Sequence, residues 1–318
     1  MPNLHVKSSR VAVIGAGNVG ATFAYTLVLN GMAGEVVLID ANASRAEGEA
    51  MDLIHTVPFA KPIRIWAGSY ADCAQADVIV VAAGVGQKPG ETRLDLVKRN
   101  VDVFRQIIPQ ATRDNSNAIV LVATNPVDIL TYASWKFSGL PAGQVIGSGT
   151  LLDTARFRAL LGQHFGLDPR SIHAYIIGEH GDSEVPVWSL AHIAGMRIDD
   201  FCARNNLQCE QEALEDIFRQ TRDAAYEIIR RKGATYYAIA AGLMDIVEAV
   251  LRDQNTVLTV SSLINDYYGI DEVCLSLPTI VDRGGAERFF RLELSAQEVQ
   301  QLRRSADILK NTIAETGI

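Results

Sequence analysis

Short apolar runs rich in β-branched residues occur at 11–14, 36–39, 78–83 and 119–123, each bounded by Gly, Asp or Asn. Runs of this length without polar alternation read as parallel strands buried on both faces. Between them, residues 20–29, 44–54 and 93–108 space their apolar side chains at helical intervals. The alternation predicts a doubly wound α/β sheet with right-handed crossovers.

Near Gly147 the rhythm changes. The pattern predicts a helix at 154–165, an extended run at 173–177, long helices over 210–231 and 234–251, and strands at 257–264 and 274–280. Ser295-Ala296-Gln297-Glu298 is a capping-box pattern that opens a last helix reaching about Ala314. These signs divide the chain into residues 1–148, a parallel α/β domain, and 149–318, an α+β domain for substrate. No long linker, low-complexity tract or repeat separates the two, so close packing with a ligand site between them is expected.

Composition narrows the class. A chain of 318 residues, 48% hydrophobic and 21% charged, can bury a large core. The formal net charge of −8 disfavours nucleic acid and anionic membranes as partners, so an anionic ligand must be drawn by local cations. Residues 1–10 are short and polar and 11–14 too brief for a signal core or a span, which makes a cytoplasmic protein the expectation. Cys73, Cys202, Cys209 and Cys274 form no CxxC pair or ligand-like cluster; they read as reduced packing thiols, and no metal site is expected. Asn42-Ala43-Ser44, nominally a sequon, reads as a loop and helix start.

Candidate chemistry begins with Gly15-Ala16-Gly17-Asn18-Val19-Gly20, which follows a strand and opens a helix. Gly15 permits the tight turn, Gly17 lets a pyrophosphate approach the backbone, and Gly20 allows close helix packing, as in a Rossmann dinucleotide fold. Asp40 ends the second strand about twenty residues later, where its carboxylate can bond ribose hydroxyls and repel a 2′-phosphate; NAD is therefore preferred to NADP. Further contacts are expected at later strand ends, at Gly84, Val85, Ala123, Thr124 and Asn125.

In Gly178-Glu179-His180-Gly181-Asp182 the small neighbours leave a histidine free to reach a ligand. A hydroxy acid and its keto acid differ by a hydride and a proton, and His180 has the intrinsic pKa to handle the proton. Asp153 is the candidate carboxylate to orient it; its other reading is the N-cap of the following helix. Arg156, three residues on, shares that helix face and suits a substrate carboxylate, with a surface ion pair as its alternative. Arg93 follows the Gly- and Pro-bearing segment from Gly86 to Thr92, a loop able to close and bring a cation to a developing alkoxide.

Taken together, the glycine motif, Asp40, the segment from Gln87 to Arg93, Thr124-Asn125-Pro126-Val127-Asp128, the segment from Leu152 to Arg156 and the His180 segment resemble the L-lactate dehydrogenase family over nearly the whole chain. The resemblance implies that His180 exchanges the proton, Asp153 orients it, Arg156 binds the carboxylate and Arg93 polarises the carbonyl. It also implies that Asn125 contacts substrate and cofactor, that Thr235 lines the pocket, that Ile239 packs behind the nicotinamide, and that Val19, Arg45, Tyr70 and Ser148 lie along the cofactor. Gln87 stands where the similar malate dehydrogenases carry an arginine for a second carboxylate, so pyruvate is favoured over oxaloacetate.

Arg158 and His173 match positions by which bacterial members of that family bind fructose 1,6-bisphosphate across a subunit interface, which implies an allosteric effector and a homotetramer; unaided, each reads as surface or interface packing. His55, His164, His192, the Tyr236-Tyr237 pair and Phe289-Phe290 read as packing, and Arg230-Arg231-Lys232 as partners of a helix C-terminal dipole. A malate or other 2-hydroxy-acid dehydrogenase is the alternative within the class. An NAD-responsive binding protein without catalysis is the alternative outside it, disfavoured because no catalytic position is lost.

Overall fold

A nine-stranded sheet runs through the molecule, whose computed structural model describes residues 8–86, 90–205, 207 and 209–318. The parallel part consists of β1 (Arg10–Ile14), β2 (Glu35–Ile39), β3 (Arg64–Ala67), β4 (Val78–Val81), β5 (Ile119–Val122) and β6 (Val145–Gly147). These strands lie in the order β6-β5-β4-β1-β2-β3, so the direction of winding reverses between β1 and β4. Four helices interleave with them: α1 (Asn18–Asn30), α2 (Ala43–Thr56), α3 (Arg93–Thr112) and α4 (Val127–Ser138).

The second half contributes α5 (Leu151–Phe165), the short strands β7 (Ile172–His173), β8 (Ile176–Ile177), β9 (Val185–Pro186), β10 (His192–Ile193) and β11 (Met196–Arg197), then α6 (Ile198–Asn205), α7 (Gln211–Lys232) and α8 (Tyr237–Arg252). It ends with β12 (Thr256–Ile264), β13 (Val273–Asp282), β14 (Gly285–Phe289) and α9 (Ala296–Thr316). Strands β12 to β14 form an antiparallel meander that extends the parallel sheet, β12 meeting β6 through Ser261 and Gly147. The two halves thus share one sheet.

Alternation along each strand explains the two cores. Ala12, Ile14, Val37, Ile39, Ile79, Val81, Val120 and Val122 face α3, α4 and α9, whereas Val11, Val13, Val36, Leu38, Val78, Val80, Ile119 and Leu121 face α1, α2 and α8. With both faces covered, a strand needs no polar positions. Each fully buried Val, Leu or Ile stabilises the fold by roughly 1.5–3 kcal/mol relative to exposure.

The apolar runs at 78–83 and 119–123 outlast their strands, because the chain leaves the sheet after Val81 and Val122 and is pinned there by side chains. Thr124 Oγ1 donates to Ala83 O at 2.7 Å, and buried Asn100 accepts from Val85 N at 2.9 Å. Strand β3 carries Arg64 and half-buried Trp66 at the sheet edge, and β14 carries two charges, so neither has an uninterrupted apolar run.

One cysteine expectation is corrected. Cys202 and Cys209 are not reduced thiols but a disulfide pair, their Cα atoms 6.0 Å apart. The chain folds back after α6, with Leu207 N donating to Cys202 O at 3.0 Å, and returns Cys209 to the small core shared by α5, α6 and α7. A seven-residue separation carries no CxxC signature. Cys73 and Cys274 are free and buried, and burial pushes the Cys73 thiol up to about 12. Tyr237, expected in a core or interface, is 69% exposed in the chain.

Candidate functional site

All the candidate cofactor residues from the first half follow the carboxyl ends of strands or open the next helix, around the reversal between β1 and β4. Gly15 holds φ at +100°, and a Cβ there would lie 2.5 Å from Ala83 N. A Cβ on Gly20 would lie 1.9 Å from Gly15 O, so the helix can approach the turn only as glycine. Gly17 differs, since nothing lies within 4 Å of a Cβ placed on it. It is also the N-cap of α1 and provides no side-chain cap, leaving the helix amides for an anion.

Asp40 is built into the same lip. One carboxylate oxygen accepts from Ala16 N at 2.7 Å and the other from Asn42 N at 2.8 Å. Burial, then Cys73 and Asp40, raise the Tyr70 pKa, which puts Tyr70 within electrostatic reach of that carboxylate. Val19, Ala123 and Ile239 pack, half-buried, against one core, while Arg45 is exposed on α2, Ser148 is buried beyond β6, and Gly84 and Val85 are exposed. These residues fit a dinucleotide: an open glycine, uncapped amides and a carboxylate at the second strand end.

Gly17→Val tests that fit, because φ of −76° accepts a side chain and the space is open. The variant is expected to keep its thermal midpoint within about 2 °C, and to weaken NADH binding at least about tenfold in a fluorescence titration. Unchanged affinity would remove the glycine turn from the cofactor site.

The candidate substrate residues gather around α5. Thr150 is the N-cap, so Asp153 is not the cap but a buried first-turn residue. Its Oδ2 lies 2.5 Å from His180 Nδ1, and its Oδ1 accepts from Arg156 Nη1 at 2.9 Å. One carboxylate therefore orders both an imidazole and a guanidinium. His180 Nε2 has no hydrogen bond among the described residues.

Electrostatics follow from this packing. Burial opposes charge on His180, but Asp153 outweighs it, with Asp128 and Glu184 adding, and His180 is pushed up to about 9. Asp153 is desolvated too, yet His180 and Arg156 hold its carboxyl below the usual range.

The histidine segment is fastened from behind. Gly178 pairs with Ser276 through two backbone bonds of 2.9 Å, and Glu179 N donates to Ser305 Oγ at 2.8 Å. His180 N donates to Asp128 Oδ2 at 2.7 Å, while Asp128 Oδ1 accepts from Ser261 Oγ at 2.6 Å. Burial, against those two hydrogen bonds, pushes Asp128 up to about 7.

Arg93 lies at the rim. The Thr92–Asp95 capping box starts α3, making Arg93 its first residue. Its guanidinium sits 3.5 Å from Glu179 Oε1 and 3.3 Å from Asp182 Oδ2, and Tyr226 OH donates to Asp182 Oδ1 at 3.0 Å. A cleft of about 600 Å³ opens here, lined by Arg93, Pro126, Glu179, Asp182, Glu184 and Phe218 among others. Gln87 lies outside the described residues.

Asn125 precedes Pro126 through a cis peptide bond beyond β5, and Thr235 is half-buried in the turn between α7 and α8. Arg158 Nε donates to Ala174 O at 2.9 Å, and its guanidinium lies 5.3 Å from the Tyr175 ring centroid. His173 is exposed opposite His192 in the small sheet. Arg230 and Arg231 pair with Glu227, and Lys232 covers the Tyr236 ring at 3.6 Å.

Three residues at this site were given no role in the sequence reading: Asn100, which pins Val85; Asp128, quoted only as the end of the Thr124 motif, which pins the His180 backbone; and Glu184, buried in the cleft wall. Asp128 had a signal, as the lone acid in the apolar stretch of α4.

Residues 9–147 match the model of the lactate/malate dehydrogenase NAD binding domain, and residues 150–317 that of the lactate/malate dehydrogenase alpha/beta C-terminal domain. The chain is 52% identical over 310 residues to an L-lactate dehydrogenase of Thermoanaerobacter sp. (strain X514), covering 98% of this chain and 100% of the relative. It is 56% identical over 302 residues to one of Synechococcus sp. (strain JA-3-3Ab), covering 95% and 97%. The crystal structure of the minor L-lactate dehydrogenase from Enterococcus mundtii in the ligands-bound form matches with a TM-score of 0.94 at 42% identity, over 96% of this chain and 98% of that one.

Proposed function

Because the chain belongs to the lactate/malate dehydrogenase family and is an NAD-dependent oxidoreductase, we propose that it interconverts pyruvate and (S)-lactate, as a step of glycolytic fermentation. The observation that carries the reading is Asp153 holding His180 with one oxygen and Arg156 with the other. Bound NAD supplies hydride exchange at the carbon that carries the hydroxyl or carbonyl.

The protein supplies the rest. Arg156 keeps Nη2 and Nε for the substrate carboxylate in two parallel bonds. Arg93 leaves Glu179 and Asp182 as the loop closes and brings its charge to the carbonyl oxygen. His180 donates the Nε2 proton to that oxygen, and Asp153 retains the tautomer throughout. Asn125, Thr235 and Ile239 complete the pocket, and neutral Gln87 discriminates against a second carboxylate.

Fructose 1,6-bisphosphate activation across a homotetramer interface belongs to the same reading. It is supported by Arg158 lying over Tyr175, two residues beyond His173. Assembly is supported by Met51, Phe59 and Tyr237, which are 61%, 89% and 69% exposed. A composition of mixed charge without a long apolar segment favours the cytoplasm, and among the described residues no helix is long and apolar enough to cross a membrane.

A keto-acid panel run with and without the bisphosphate tests these assignments together. NADH oxidation is expected on pyruvate at least about tenfold faster than on oxaloacetate, a difference of roughly 1.4 kcal/mol, with the bisphosphate lowering half-saturation and raising the sedimentation coefficient. Preference for oxaloacetate would favour the malate reading. An unchanged saturation curve and an unchanged assembly state would remove the effector.

A further inference from the structure

Glu184 follows His180 by four residues, on the turn where Glu184 N donates to Gly181 O at 3.1 Å, and precedes β9 directly. It is 6% exposed and lines the cleft beside Arg93, and its Oε1 is inaccessible and without a hydrogen-bond partner among the described residues. A carboxylate in that condition is costly, and a buried acid ordinarily neutralises instead. Arg156 and Arg222 offset part of that cost from a distance, but their hydrogen bonds go elsewhere: Arg156 bonds Asp153 at 2.9 Å, and Arg222 bonds Asp223 at 2.9 Å. Asp153 repels a second negative charge. Burial first, and Asp153 second, hold the Glu184 carboxyl well above the usual carboxylate range.

We infer that Glu184 is a positioning residue for proton transfer: as a neutral acid it leaves Asp153 to pair with His180, and when it ionises it tightens the hold of His180 on its proton. The inference rests on the dehydrogenase reading and deepens it. As His180 gives up its proton, the buried site gains negative charge. An ionised Glu184 would oppose that loss and make His180 a weaker acid; the neutral form does not.

The charges around the His180 and Glu184 pair are Asp153 and Arg156 from α5, Asp128 from α4 and Arg222 from α7. Asp153, Asp128 and Glu184 raise the proton affinity of His180. Glu184 feels Asp153, His180, Arg156 and Arg222. Glu184 and His180 therefore titrate as a linked pair, and an activity profile reads the pair.

The test compares wild type, Glu184→Gln and Glu184→Asp in pH profiles of kcat/KM for pyruvate with NADH. Glutamine reproduces the neutral acid in shape and charge but cannot ionise. It is expected to move the alkaline limb down by about one pH unit, with a parallel shift in lactate oxidation, while aspartate keeps the limb within about half a unit of wild type. A limb that stays in place in Glu184→Gln, with or without uniform loss across pH, overturns the inference. So does failure of Glu184→Gln to fold, because the amide matches the form the inference assigns. Failure of the dehydrogenase reading shows separately, as absence of NADH oxidation on pyruvate by the wild type.

Discussion

Replacing His180 with alanine is expected to lower kcat for pyruvate reduction by about 10²- to 10⁴-fold, the usual contribution of one positioned general acid, while NADH affinity stays within about threefold, a change below roughly 0.7 kcal/mol. The separation follows from placement. His180 sits on the segment fastened to Asp128, Ser276 and Ser305, whereas the glycine turn and Asp40 lie at the ends of β1 and β2. Stopped-flow turnover and fluorescence titration measure the two quantities independently, and near-normal turnover in the variant would end the proton-transfer role.

The pH dependence carries a sign. His180 is raised from 6.5 to about 9, so the protonated form needed for pyruvate reduction persists below about 9 and is lost as pH rises through it. The stability contributed by the His180–Asp153 pair follows the same window, fully present below 6.5 and lost through about 9. Asp153→Asn removes the largest attraction and leaves burial to dominate. The alkaline limb is then expected to fall by at least about two units.

The parts of this molecule legible in its sequence share one physical property: their signal is local. Strands covered on both faces show as continuous apolar runs, the glycine turn as a motif with fixed spacing, and α9 as a capping box that the structure reproduces, with Ser295 accepting from Glu298 N. Asp153 and Arg156 were legible because a helix brings positions three apart together, and their contact is an i,i+3 pair.

What stayed hidden depends on contacts distant along the chain. Asp128 meets the His180 backbone across 52 residues and Ser261 across 133. Asn100 reaches back to Val85 from mid-helix, and nothing at position 184 announces a buried acid until the turn after His180 is closed. The Cys202–Cys209 pair required the reversal after α6. The extension of the parallel sheet by β12 to β14 likewise turns on one pairing, Ser261 with Gly147, for which neither segment carries a pattern.

Arg156→Lys is the second decisive substitution. It keeps a positive charge in a side chain only 13% exposed, so the ion pair with Asp153 survives in a weaker form and the fold should hold. A single ammonium cannot bond Asp153 and also grip a carboxylate through two parallel bonds. Loss of two charge-assisted hydrogen bonds costs about 3–6 kcal/mol, which lowers kcat/KM for pyruvate by about 10²- to 10⁴-fold. The rise in KM should exceed the fall in kcat, because the carboxylate is held in the ground state as well as in the transition state. The split separates two roles for Arg156. If its task were only to hold Asp153, the substitution would move the alkaline limb set by His180 and leave KM alone; if it grips substrate, KM rises at every pH below that limb. A KM within about twofold of wild type, less than roughly 0.5 kcal/mol of binding, would therefore transfer carboxylate recognition to another cation, with Arg93 at the cleft rim the first to test.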